Sequence, residues 1–242
     1  MLTTLKYEFM KNRVLYGISL GILAIVELVY LAIVPFRSIK DHTIVIPIFL
    51  LMIAGLFIFF MLLFNGITMF SRDLKSKAGY LVYMTPVPVP SILLAKILLV
   101  FLSSVIFGLG YLLLGIADFE ILGSIAGDAS GDFARFIPEI FKMLRSSGAV
   151  PRIAGRFVRY AISVFDFLSI TYFSIALGNT LLRGKKAGAM ISFIVFVAIV
   201  ILNSFITNMA GMSNLVASIL HMVIGILCFL ATSWMITKKI DL

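Results

Sequence analysis

Charge is scarce in this 242-residue chain. Only 13% of its residues are Asp, Glu, Lys or Arg, against 62% that are apolar, a ratio far from that of soluble globular domains. From Ala187 to Thr237 there is no charged residue at all, and a run of that length has no place in water. Cysteine is nearly absent too: Cys228 is single and sits in an apolar run, which excludes an internal disulfide and a cysteine-built zinc site. Histidine is limited to His42 and His221. Neither has a carboxylate or cysteine at a catalytic spacing, there is no His-Glu-x-x-His and no Gly-x-Ser-x-Gly, and His221 reads as a packed core residue. A phosphate-cradling loop is missing as well. Its nearest approach, Gly184-Lys185-Lys186, has Asn179 in place of the first glycine and Lys186 in place of the hydroxyl residue. These absences exclude the common enzyme and metal chemistries, and they predict a chain that binds no cofactor of its own.

What is present is hydrocarbon in long blocks, with a mean hydropathy of +1.14. The pattern predicts an all-α integral membrane protein forming one transmembrane domain over residues 1–242, with spans at about 14–34, 44–70, 97–116, 160–182, 187–206 and 215–237. Pro47 falls in a first helical turn, where it costs no hydrogen bond. The small and polar stretch from Thr207 to Asn214 divides the long charge-free run into two spans. The charged lead-in Leu5-Lys6-Tyr7-Glu8-Phe9 reads as an amphipathic interfacial helix. Glu27, the length of the following run and the lack of a small-residue cleavage site argue that this segment is retained rather than removed as a signal peptide.

The net charge of +9 would suggest nucleic acid in a soluble protein, but here the basic residues gather at span ends, where anionic headgroups satisfy them. Six spans put both termini on one side. Lys6, Lys11, Arg13, Arg72, Lys75, Lys77, Lys96, Arg183, Lys185, Lys186, Lys238 and Lys239 fall on that side, twelve of the twenty basic residues, which predicts a cytoplasmic-membrane protein with both termini in the cytoplasm. Six basic residues between Ala117 and Arg159 weigh against this orientation. The acids of that stretch, Asp118, Glu120, Asp128, Asp132 and Glu139, count little in the rule. Within it, Ile137, Ile140, Phe141 and Leu144 recur at helical spacing behind Pro138, which predicts an interfacial helix in the outer loop. Arg152, Arg156 and Arg159 share a helical face leading into the fourth span. They read as snorkelling side chains or as an interfacial site for an anion.

Between the second and third spans lies a compact charged segment, Ser71-Arg72-Asp73-Leu74-Lys75-Ser76-Lys77-Ala78-Gly79-Tyr80, followed by Thr85-Pro86-Val87-Pro88-Val89-Pro90. As chemistry, Asp73 near a helix start would oppose the positive end of the dipole. Leu74 could fill an apolar notch, Arg72, Lys75 and Lys77 supply complementary charge, Gly79 permits a sharp exit, and the prolines form a stiff strut. This segment, continuing to Ala95-Lys96, resembles the coupling region of type-2 ABC transporter permeases, as do the lead-in Leu5 to Phe9, the six-span layout and Tyr172-Phe173-Ser174-Ile175-Ala176-Leu177-Gly178 before a basic turn. Motif-like similarity is confined to the coupling stretch and the two short flanking motifs; elsewhere the likeness is one of layout. The resemblance implies a short cytoplasmic coupling helix that carries Arg72, Asp73, Leu74, Lys75, Ser76, Lys77, Gly79 and Tyr80. It also implies two separate ATPase subunits holding ATP and Mg, and a second permease copy or a sister permease.

Glu27 and Asp166 are acids within spans, each reading as isolated. Such carboxylates face protein or water rather than lipid, so Glu27 and Asp166, with Asn65 and Asn203 as candidate neighbours, read either as lining a translocation path or a dimer seam or as protonated or hydrogen-bonded packing residues. Gly17-Ile18-Ser19-Leu20-Gly21 offers a small-residue face for helix approach. The rival class is a nucleotide-independent membrane protein, either a secondary transporter or an immunity subunit that sequesters a peptide. No repeated broken helices or acid relays favour it.

Overall fold

The computed structural model describes residues 2–33, 45–75, 83, 87–125, 149–181, 187–209 and 214–238. All the described elements are helices: α1 (Leu2–Ile33), α2 (Val45–Lys75), α3 (Val89–Ile125), α4 (Ala149–Leu181), α5 (Ala187–Met209) and α6 (Asn214–Lys238). Each is long and apolar enough to cross a membrane, and the chain is a multi-pass membrane protein. The helices extend past the expected spans at several ends because nothing local stops them. The lead-in Leu5 to Phe9 is continuous with α1 rather than a separate interfacial helix. α2 continues through Arg72 to Lys75, since no glycine or proline intervenes between Ile67 and Ala78. Pro90 lies in the first turn of α3, not in an extended strut, and the Pro88 carbonyl accepts from the Ser91 amide at 2.9 Å. α3 runs on to Ile125, so Asp118 belongs to this helix rather than to an outer loop. The proposed interfacial helix near Ile137 to Leu144 lies outside the described residues.

Packing divides the chain into two compact units: residues 1–8, 64–101 and 156–242, and residues 9–63 and 102–155. The first is organised by close helix approaches at glycines. A side chain on Gly66 of α2 would put its Cβ 2.6 Å from the Val100 side chain of α3 and 3.3 Å from that of Leu168 in α4. The Tyr172 hydroxyl donates to the Gly66 carbonyl at 3.2 Å, and its ring stacks on Phe70 with centroids 4.3 Å apart. At Gly178 of α4 a Cβ would fall 2.0 Å from Ser192 Oγ and 2.6 Å from the Gly188 carbonyl oxygen, so α4 and α5 meet backbone to backbone. Without a hydrophobic force between helices in lipid, such contacts are what bind them.

The second unit has its own apolar core of Tyr16, Leu23, Ile58 and Leu62, joined by Leu15, Phe107, Tyr111 and Leu114. The Tyr111 ring covers Gly55 and its hydroxyl donates to the Leu51 carbonyl at 3.1 Å. Leucine, isoleucine and phenylalanine face outward from the helices of both units, the arrangement lipid requires. Burial is uneven: 56% of the most apolar window of α4 is buried, but only 6% of that of α5. α4 is thus the more deeply packed of the two, and few residues of α5 are fully buried.

Candidate functional site

Three polar clusters stand out from this hydrocarbon. The first, in the first unit, joins three helices through one lysine. Lys96 of α3 forms direct ion pairs with Glu8 of α1 and Asp73 of α2, and all three side chains are fully buried. Tyr83 stands beside them. Burial, and then the charges of Asp73 and Glu8, push its phenol well above the ordinary tyrosine range. Its hydroxyl has no hydrogen-bond partner among the described residues, and Tyr172 feels the same two carboxylates. Asp73 therefore does not open a coupling helix or face its dipole. It lies in the last turns of α2 as a counter-ion of Lys96, because the helix passes Ser71 unbroken and turns this position inward.

Arg72 and Lys75, on either side of Asp73, are exposed, and Leu74 and Ser71 are half-buried. The last turn of α2 thus presents two cations outward while anchoring inward through the acid between them. Ser76, Lys77, Gly79 and Tyr80 lie outside the described residues.

The second cluster also lies in the first unit, within the spans. Asp166 of α4, Asn203 of α5 and His221 of α6 bring three polar atoms into a triangle. His221 Nδ1 is 2.9 Å from Asp166 Oδ2 and 3.0 Å from Asn203 Nδ2, and Asn203 Nδ2 is 3.2 Å from Asp166 Oδ2. Asp166 is accordingly not isolated, and His221 is not unpaired. What brings them together is Gly225, four residues on from His221 and so on the same face of α6. A Cβ there would stand 3.1 Å from the Asp166 Cα and the Phe165 ring. The sequence hid this pairing because the three residues come from helices far apart in the chain.

The third cluster is in the second unit. The carboxyl of Asp118 is buried, neither of its oxygens has a hydrogen-bond partner among the described residues, and it lies near enough to Glu27 to feel its charge. The Tyr30 hydroxyl donates to the Asp118 carbonyl at 3.1 Å. Glu27 thus has a carboxyl neighbour rather than standing alone, and Asp118 was missed because it reads as a loop acid. An apolar cavity of about 100 Å³ in the same unit is lined by residues including Leu23, Ile58, Ser104 and Tyr111. That is below the ~300 Å³ at which small-molecule sites begin.

The remaining expected residues are placed as follows. Asn65 is buried in α2 and its Nδ2 has no hydrogen-bond partner among the described residues. Arg152, Arg156 and Arg159 are exposed on the opening turns of α4, a helical lead-in to the span. Gly17 and Gly21 are exposed, and no other helix among the described residues would come within 4 Å of a Cβ on either. Among the described residues no group of three His, Cys, Asp or Glu could hold a metal ion. Comparisons of this chain with protein families, with curated proteins and with solved structures find no match.

Proposed function

We propose that this chain is the membrane-spanning permease subunit of a type-2 ABC transporter. It would export a peptide, a lipid or a drug-like molecule with two separate ATPase subunits and a second permease copy or a sister permease. The observation that carries this reading is the end of α2. Arg72 and Lys75 are outward and available to an acidic docking face, while Asp73 between them is tied to Lys96 of α3 and, through that lysine, to Glu8 of α1. A push on the exposed cations is thereby passed to three helices at once instead of being absorbed in a loose loop. The ATPases need only bias a two-state equilibrium by a few kcal/mol. The likeness of the Ser71 to Pro90 segment to coupling regions supports the same reading.

The test uses Arg72→Glu and Lys75→Glu with Leu74→Ala, which reverses the charges and shortens the apolar anchor without touching the buried acid. Interfacial anchors typically cost ~2–4 kcal/mol when truncated, so docking should weaken by more than tenfold. The variant should insert normally, yet lose co-purification with its ATPase and lose substrate-stimulated ATP hydrolysis. Wild-type protein that transports without any nucleotide-binding partner would overturn the reading. It would favour a secondary transporter, for which the Asp166, Asn203 and His221 cluster is the supporting observation.

A further inference from the structure

We infer that Asp166, Asn203 and His221 form a proton-binding site inside the membrane, loaded and emptied through the imidazole of His221. The inference goes beyond nucleotide-driven transport and holds whether or not an ATPase drives the chain. It starts from a mismatch between atoms and bonds. Asp166 Oδ2, Asn203 Nδ2 and His221 Nδ1 all lie within 3.2 Å of one another, but a triangle of this kind cannot satisfy all three sides at once. With the proton on Nδ1, the imidazole and the amide both donate to Oδ2, and the side between the two nitrogens carries no bond. With the proton on Asp166, Oδ2 faces Nδ1 as the donor, and Nδ1 is no longer a donor against which the amide stands opposed. One geometry therefore accommodates two proton positions without moving a helix.

Two further features distinguish the cluster from a static packing contact. Asp166 Oδ1 and Asn203 Oδ1 are buried acceptors with no partner among the described residues, so the cluster has acceptor capacity left for a further proton. Meanwhile the His221 side chain is 36% exposed while that of Asp166 is 8% exposed, so the ring reaches from the buried carboxylate to the open side of α6. With Nδ1 engaged by the carboxylate and the amide, Nε2 is the ring nitrogen left to take up a proton and to return it. Uptake at Nε2 gives an imidazolium held beside the carboxylate; release restores the neutral ring, and no other bond is made or broken. Lysine or arginine would have made a fixed pair, whereas histidine changes charge near neutral pH.

The titratable surroundings are sparse. α5 contributes no ionisable side chain over its length, and on α6 the thiol of Cys228 is near enough to feel the charge of Asp166. On α4 the acid itself is the charged group facing the ring.

The chain contains only two histidines, which makes the site directly observable. In full-length protein labelled with ¹⁵N-histidine, reconstituted in phosphatidylcholine and phosphatidylglycerol nanodiscs, the substitution His42→Gln leaves His221 as the single imidazole. Its nitrogen chemical shifts should pass reversibly between the two protonation states over the pH range in which the protein stays folded. The midpoint should move to lower pH in Asp166→Asn, because the carboxylate favours the charged imidazolium. Asn203→Leu should alter the affinity in the same measurement while leaving the carboxylate in place. An imidazole that stays in one protonation state across the range overturns the inference, as does the same midpoint in Asp166→Asn. Should either variant fail to fold, the wild-type titration decides alone. A purely structural histidine would change stability in these variants without moving a titration. Failure of ATPase docking has no bearing on this readout.

Discussion

Lys96 is the residue on which the packing of the first unit most depends electrostatically, since it is the cation shared by Glu8 and Asp73 and all three side chains are fully buried. Burying such charges is costly, and removing one partner of a buried ion pair typically costs about 3–5 kcal/mol because the other is left behind. Lys96→Met should therefore lower thermal stability in detergent steeply. Adding Glu8→Gln and Asp73→Asn should restore most of the loss, because the neutral set no longer strands a charge. A Lys96→Met protein that melts with the wild type would show that the cluster adds no ionic stabilisation. The sequence made part of this visible. Lys96 and Glu8 stand out as charges at the ends of apolar runs, and Asp73 as an acid in a basic segment. Which acid meets which base was illegible, because the three are separated along the chain and only helix continuity through Ser71 turns Asp73 inward. The same holds for Asp166 and His221, each of which reads as isolated in its own helix.

At the scale of the helix, glycine was the least legible feature and one of the most consequential. The pair Gly17 and Gly21 has the spacing of a helix-packing face, yet no other helix among the described residues comes within 4 Å of a Cβ placed on either. The glycines that do set helix approach, Gly66, Gly178 and Gly225, have no such spacing signal, since each faces a partner helix chosen by the tertiary arrangement. Length and hydrophobicity made the six helices themselves readable, because crossing hydrocarbon leaves the backbone no alternative but helix. Their ends were less so. Polar first and last turns such as Thr3 to Arg13 and Ser71 to Lys75 are helical without being apolar, and hydropathy does not register them. The seam between α4 and α5 gives a direct check. At Gly178 the obstruction is a hydroxyl and a backbone carbonyl, and a carbonyl cannot rotate aside as a side chain can. Gly178→Ala should cost about 1–3 kcal/mol and lower the melting temperature. Gly110→Ala, where nothing lies within 4 Å, should be neutral or slightly stabilising. Equal melting of the two variants would mean that α4 and α5 do not meet at Gly178.

For the whole molecule the distribution of basic residues makes the sharpest claim. On the six-span reading of the sequence, twelve of twenty would lie on the side that holds both termini, a side that the positive-inside rule would place in the cytoplasm. The opposing argument is the group Arg152, Arg156 and Arg159, exposed on the opening turns of α4. Side chains on a helix at the interface can reach headgroups on either side, so they constrain orientation less than the same residues in a short loop. The coupling reading requires this orientation, because an ATPase can meet Arg72 and Lys75 only from the cytoplasm. In a Cys228→Ser background, single cysteines introduced as Lys77→Cys, Gly184→Cys and Lys239→Cys should stay unmodified when an impermeant thiol reagent is added to intact cells. Ser130→Cys and Asn208→Cys should react, and permeabilisation should expose the first three. Modification at position 184 together with protection at 130 would reverse the topology. It would put Arg72 and Lys75 outside the cell, where no ATPase could reach them, and the function would then have to be sought without nucleotide.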